Sequence, residues 1–320
     1  MMQIKYGYLL VTLLVFSAVS CSNDDNSTIL QNDCIKRSIG PNLVGSNIEF
    51  AYAMALPQSA GKIVSAGVEE SIQGASETWM EHNSYNTSIS GADVGIPIGN
   101  PSTHSGNKTE VIFTRDTCAA TLRYYYRIPE EARGKEVSFT FSAKASNGET
   151  VSYAMGPYAI SRIDMKLDMA VTGDLCFISL EDMAVYDAAG AAANPGKIDL
   201  VYLYRNIAGI SFAHAFVSPG ANPEYLPGVT LPSGAGKKSK LRKAWGLEDR
   251  QLARRAAGIY IDDRDFLELD MKEMPDYALN MVELSGLWVE TENGKYRAYI
   301  FVNSVNNAGS AVISIKRYAL

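Results

Sequence analysis

The side chains able to do chemistry are few and widely spread. Three histidines stand at positions 82, 104 and 214. None belongs to an HExxH, a G-x-S-x-G or a phosphate-binding glycine loop. Carboxylates are abundant, but the pairing that general acid–base work needs is spatial, and no spacing along the chain marks one. A glycosidase with two unmarked carboxylates is the enzyme reading that survives; the expectation is a non-catalytic protein with no cofactor. Asp262, Asp263, Asp265 and Asp270 cluster around Phe266. They lack the spacing and the glycine of an EF-hand loop, so they specify no metal site.

The four cysteines are more informative. Lys5, the apolar run Tyr8 to Val19, and the small residues Ala18 and Ser20 all precede Cys21. That order of charge, short apolar run, small residues and cysteine is the bacterial lipoprotein pattern; an ordinary secretory signal needs no cysteine. Cys21 is then the lipidation site, and two or more acyl chains on it anchor stably to the outer membrane. Residues 1–20 read as the signal peptide and 21–33 as an acidic tether. The tether resembles a surface-export signal and is too polar to fold by itself. Cys34 and Cys118 are left in a compartment that permits oxidation. They form a disulfide or remain a pair of free thiols, since sequence does not give connectivity. Cys176, in the run Leu175 to Ile178, reads as a small buried hydrophobe.

Aromatic residues in polar settings are the candidates for ligand contact. Trp79 and Tyr85 lie in the polar stretch 75–87, and Tyr124, Tyr125 and Tyr126 are consecutive. On a strand, neighbouring side chains point to opposite faces, so the three tyrosines cannot share one core. At least one lies outside or under a second layer, and Tyr125 is the candidate for ligand contact. Trp245 follows a basic run (Lys237, Lys238, Lys240, Arg242, Lys243) with helical spacing at Leu241, Trp245 and Leu252. The spacing predicts a helical insert over about 237–256. Trp288 and Tyr299 fall opposite each other on the charged face of a hairpin around Asn293-Gly294. They form either an exposed pair or one covered by that helix.

The elements that hold these residues are mostly strands. Hydrophobic residues make up 47% of the 320, enough for real cores. The net charge of −6 becomes one unit more negative once Lys5 leaves with the signal. An acidic chain with no long basic stripe argues against nucleic acid. At Asn147-Gly148, a two-residue turn would split the apolar groups between two faces. A three-residue loop instead pairs Ala143 with Val151, Phe141 with Tyr153 and Phe139 with Met155, on one face, with Gly148 left-handed. Ile163 to Val171 alternates, with Ile163, Met165, Leu167, Met169 and Val171 inward. Asp187 to Asn194 reads as a short helix, and Ile198 to Tyr204 as a central strand. The domains divide into 34–160 and 161–320.

The lipobox at Cys21 and the blocks NDCIKRSIGPN, TRDTCAATLRYYYRIPEEARGKEVSFTFSAKASNGETVSY, CFISLEDMAVYDAAGA, KIDLVYLYR and GKYRAYIFVNSVN carry a resemblance. Together they span nearly the whole mature chain, which resembles an uncharacterised family of Bacteroidetes surface lipoproteins. The resemblance implies association with Sus-type nutrient importers, in which a TonB-dependent transporter carries a SusD-like lid. It implies no catalytic residue.

The expectation is a mainly β protein: an immunoglobulin-like β-sandwich, then a second β-rich domain with a few short helices. Its expected role is to bind or present a peptide or glycan nutrient, lipid-anchored on the cell exterior. Surface adhesion is the alternative, and lipid binding a further one.

Overall fold

The computed structural model describes residues 29–207 and 209–320. Cys21, the signal segment and most of the tether lie outside these residues.

The strands of the first domain are β1 (Gln31–Lys36), β2 (Asn47–Ala55), β3 (Ile63–Glu70), β4 (Trp79–Met80), β5 (Asn83–Thr87), β6 (Asp93–Pro97), β7 (Thr103–Ser105), β8 (Lys108–Ile112), β9 (Ala119–Arg127), β10 (Glu136–Ala145) and β11 (Thr150–Ala159). They build an immunoglobulin-like sandwich. One sheet has the order β1-β2-β9-β4, the other β11-β10-β3-β8-β7, and β5–β6 is a separate hairpin. Period-two burial makes both inner faces apolar. Phe50 and Tyr52 on β2, Tyr124 and Tyr126 on β9, and Phe139 and Phe141 on β10 are all fully buried. Their rings meet at 4.8 Å (Phe50–Phe139) and 5.0 Å (Tyr126–Phe139). The hairpin β10–β11 adopts the three-residue-loop register, with Phe139 opposite Met155, Phe141 opposite Tyr153 and Ala143 opposite Val151. Gly148 takes φ 92°.

Cys34 and Cys118 are free thiols, which corrects the disulfide option. Cys34 sits opposite Tyr52. Cys118 sits beside Leu56, whose amide donates to its carbonyl. Four residues of strand separate the two positions, roughly 13 Å, and a disulfide tolerates no more than about 7 Å between Cα atoms.

The second domain holds β12 (Ile163–Val171), β13 (Phe177–Ser179), β14 (Ala184–Tyr186), α1 (Ala188–Ala193), β15 (Leu200–Ile207), β16 (Ile210–Val217), β17 (Lys240–Ala244), α2 (Arg250–Ala253), α3 (Asp263–Glu268), β18 (Tyr277–Met281), β19 (Gly286–Glu290), β20 (Tyr296–Val305) and β21 (Ala311–Ala319). Two five-stranded sheets, β12-β21-β20-β19-β17 and β14-β13-β15-β16-β18, face each other across an aliphatic core. As expected, β15 is central and α1 is capped by Asp187, which accepts from the Gly190 amide.

The first of these sheets is buried on both sides. Its outer face carries Ile163, Trp288, Tyr299, Phe301 and Tyr318, and the α2–α3 region covers it with Leu252, Ile261, Phe266 and Met271. A bulge in β12 serves the two faces in turn. Lys166 pairs with Ile315 and Met169 with Ile313, so the bulge inserts one extra residue, and Asp168 has φ 54°. Before the bulge, Ile163, Met165 and Leu167 pack into the outer core. After it, Met169 and Val171 enter the inner one. One extra residue reverses the parity of everything that follows.

The helix expected over 237–256 is corrected: only Arg250–Ala253 is helical, and Lys240–Ala244 is the edge strand β17, paired with β19. Sheet pairing overrides local propensity here, and a lysine- and arginine-rich strand suits an exposed edge. The basic residues have local partners: Lys237 pairs with Asp199, Lys240 with Glu290, and Lys243 donates to the Leu279 carbonyl.

Beneath α2, Asp249 and Lys316 form a fully buried ion pair at 2.7 Å. Asp249 also accepts from the amides of Gln251, Leu252 and Ile261, which fixes the start of the helix. The domains meet tightly. Leu43 from the first domain is buried in the second domain's outer core, and Arg133 of the first domain pairs with Asp164 of the second at 2.8 Å. Asp262 and Asp265 form the capping box of α3. Among the described residues no group of three or more His, Cys, Asp or Glu side chains is arranged to hold a metal.

Candidate binding cleft on the first domain

The outer face of the sheet β1-β2-β9-β4 is organised by register. Gln31, Ala55 and Ala119 lie side by side, then Asp33, Ala53 and Thr121, then Ile35, Ala51 and Arg123. Their strand neighbours Tyr52, Met54, Leu122 and Tyr124 are buried, so this row set points outward. The alanines leave the middle of the face low. The β5–β6 hairpin rises beside it, fastened by the Thr121 amide donating to the Ser84 hydroxyl at 3.1 Å. Floor and wall enclose an open cleft of about 780 Å³. Gln31, Asp33, Asn86 and Arg115 supply planar polar groups at its margin, and Tyr85 and Ile96 line the wall.

The wall is held by an aromatic–cation stack. The Arg123 guanidinium lies 3.7 Å from the centre of the Tyr85 ring and also pairs with Asp93 on β6. Hydrogen bonding and charge from Asp93 hold the guanidinium above its usual range, although burial opposes this. Further along β9, Tyr125 stacks on Trp79 with ring centres 5.0 Å apart and planes 12° apart. The Tyr125 hydroxyl donates to Glu81 Oε1 at 2.8 Å. Glu81 is only 8% exposed, and its other oxygen has no hydrogen-bond partner in the protein. Both neighbouring phenols are raised: Tyr85 mainly by the nearby Glu81 carboxylate, Tyr125 mainly by burial and then by Glu81. Trp79, Tyr125, Glu81, Arg123, Tyr85 and the alanine floor thus form one strip, roughly 20 Å long by strand geometry.

Three of the six aromatic candidates converge here. Trp79 is 44% exposed and stacked on Tyr125, with Tyr85 one register step away. Trp245 is exposed in the other domain, with Lys243 over its ring at 5.2 Å. Trp288 and Tyr299 are corrected: they are buried in the outer core of the second domain, 4.6 Å apart, and have no surface to offer a ligand. Phe266 and the segments around α2 and α3 cover them, not a basic helix. The residues missed in the sequence are Glu81, Arg123 and the alanine floor. The signal was present for Arg123, which shares the outward parity of Tyr125 in TLRYYYR.

The three histidines do not meet. His104 Nδ1 is hydrogen-bonded to Thr109, and His214 Nδ1 to the Tyr202 hydroxyl in the other domain. Burial lowers the pKa of His214.

Fold and cleft together define a two-domain β protein with an open cleft on its first domain. The chain belongs to the DUF4466 family. Residues 27–160 match the domain of unknown function DUF4466, and residues 161–320 match another, DUF8576. The crystal structure of a DUF4466 family protein from Parabacteroides merdae is 46% identical, with a TM-score of 0.85, and the match covers 92% of this chain and 99% of that one. The major pilin subunit of Bacillus cereus matches half of the chain at 11% identity and a TM-score of 0.29, which carries no argument. No curated protein matches the chain.

Proposed function

We propose that the protein is a non-catalytic surface lipoprotein that captures a glycan in the first-domain cleft and presents it to an outer-membrane importer. The observation that carries this reading is the cleft itself: a shallow alanine floor, planar amide and carboxylate groups along the margin, and the Tyr85 ring in its wall, with the Trp79–Tyr125 stack further along the same face. Sugars have apolar faces that stack on aromatic rings and hydroxyl pairs that match planar polar groups, and binding sites combine these elements. The lipid anchor at Cys21, facing the cell exterior, supports the location. The resemblance to importer-associated lipoproteins supports a TonB-dependent transporter with a SusD-like lid as partner. Two assays test the proposal separately. Calorimetry of the mature chain against a panel of neutral and acidic oligosaccharides, with oligopeptides alongside, tests the ligand. A mild-detergent pull-down from native outer membranes tests the partner: a transporter and its lid in the eluate supports uptake. Retention on host matrix without a transporter contradicts uptake and supports adhesion instead.

A further inference from the structure

The second domain has its own cavity of about 470 Å³, remote from the cleft in sequence and built by different elements. It lies between the 172–175 turn, the start of α1, β15 and the 226–230 loop. Phe177, Leu203 and Val229 give it apolar walls. Its polar groups are Arg205, Asp174 and Asp187.

Arg205 is fixed without being neutralised. Its Nε donates to the Pro227 carbonyl at 2.8 Å and its Nη1 to the Tyr204 carbonyl at 2.8 Å. A guanidinium has five N–H donors, so three remain. Among the described residues no carboxylate pairs with it, whereas neighbouring cations such as Lys197, Lys237 and Arg317 are all in ion pairs. Gly228 borders Nη2: a Cβ there would lie 3.4 Å from it, and φ +70° also favours glycine. The loop is therefore moulded to keep that edge of the guanidinium clear. The two aspartates stand at the rim. The Asp187 carboxylate caps α1 through one oxygen, and Asp174 is held by its own amide donating to Thr172 Oγ1. Among the described residues neither is in an ion pair.

A cavity lined by one cation and two carboxylates that no ion pair neutralises among the described residues does not select a simple anion, which the aspartates repel. It does not select a simple cation, which Arg205 repels. A ligand carrying both signs satisfies both. We infer that this cavity binds a short peptide zwitterion, with its carboxylate on Arg205, its ammonium toward Asp174 and Asp187, and its side chains against Phe177, Leu203 and Val229. The volume sits within the range of small-ligand pockets, about 300–1,000 Å³, and exceeds what a single small amino acid fills. This assignment is independent of the glycan reading of the first domain.

The test is calorimetry of the mature chain with the dipeptide Ala-Leu, its C-terminal amide and its N-acetyl form. The free dipeptide should bind at least roughly tenfold more tightly than either capped form, the scale of one charge-assisted hydrogen bond. Arg205→Gln should abolish the preference over the amide. Asp174→Asn, a near-isosteric change at an exposed residue, should weaken the preference over the N-acetyl form while leaving the fold intact. Equal binding of all three compounds overturns the inference. So does the absence of binding up to about 10 mM, a concentration at which even a weak specific site shows saturation.

Discussion

Glu70 offers the sharpest physical prediction. It ends β3 with 1% exposure, and among the described residues no lysine or arginine pairs with it. Oε1 accepts from the Tyr124 and Thr109 hydroxyls, and Oε2 has no partner in the protein. The nearest basic group is His104 Nδ1, 4.0 Å away, itself engaged with Thr109. Burial raises the carboxyl from 4.5 to about 7, against the lowering effect of the Tyr124 hydrogen bond; the charge of Glu69 raises it slightly further. The folded chain thus holds this proton more tightly than the unfolded chain. Its stabilising contribution is fully present below pH 4.5, erodes as pH rises, and is lost once pH passes about 7. A difference of roughly 2.5 pKa units at 1.36 kcal/mol each gives about 3 kcal/mol. Glu70→Gln keeps a carbonyl oxygen for Tyr124 and Thr109 but cannot ionise. Urea unfolding of both chains across this pH range isolates the site, because the second domain is common to both. The variant should gain about 3 kcal/mol relative to wild type between about pH 4.5 and pH 8.5. Stability curves that run parallel over that range would refute the reasoning.

Other outcomes follow from the packing. Lys316→Met leaves Asp249 buried without its cation and should cost about 3 kcal/mol, read as a lowered thermal midpoint. Gly286→Ala drives a methyl into the Tyr299 hydroxyl, which is buried and anchored to the Leu247 carbonyl. Overpacking of this kind costs about 1–3 kcal/mol, and thermal unfolding measures it. A maleimide reagent should label Cys118 well before the other described thiols. Burial pushes Cys34 up to about 12 and Cys176 up to about 11, and both are sterically enclosed. Mass spectrometry of the labelled native protein reads the order.

Much of the fold was legible because one face of each strand is buried. The β10–β11 register followed from keeping Phe139, Phe141, Tyr153 and Met155 together, and the outward position of Tyr125 followed from strand alternation. Other features depend on contacts that sequence does not display. The alternation of Ile163 to Val171 is real, yet a single inserted residue sends its two halves to different cores. Leu241, Trp245 and Leu252 have helical spacing, but Leu241 is buried while Trp245 is 57% exposed, since the first belongs to an edge strand and the second to the loop after it. Trp288 and Tyr299 share a hairpin face with the charged pair Glu290 and Arg297, which leaves an exposed and a covered pair both open in the sequence. Their burial depends on a covering layer from α2 and α3, two short helices whose placement local pattern does not fix. On the face that carries the cleft, Trp79, Tyr85 and Tyr125 were visible as aromatics in polar company. Glu81 and the alanine floor acquire meaning only once the register sets them side by side. Glu70 differed from Glu69 in one respect, sharing the parity of Ala66 and Val68.

The most direct test of the central claim is to fill the cleft. Ala53 lies mid-floor between Asp33 and Thr121, facing outward. Ala53→Trp places an indole in that space without touching the inner core, so the chain should fold as wild type by circular dichroism. Titrated against the oligosaccharide that wild type binds best, the variant should lose at least roughly tenfold in affinity, more than 1.4 kcal/mol. Unchanged glycan affinity in a folded Ala53→Trp chain would contradict the cleft as the binding site.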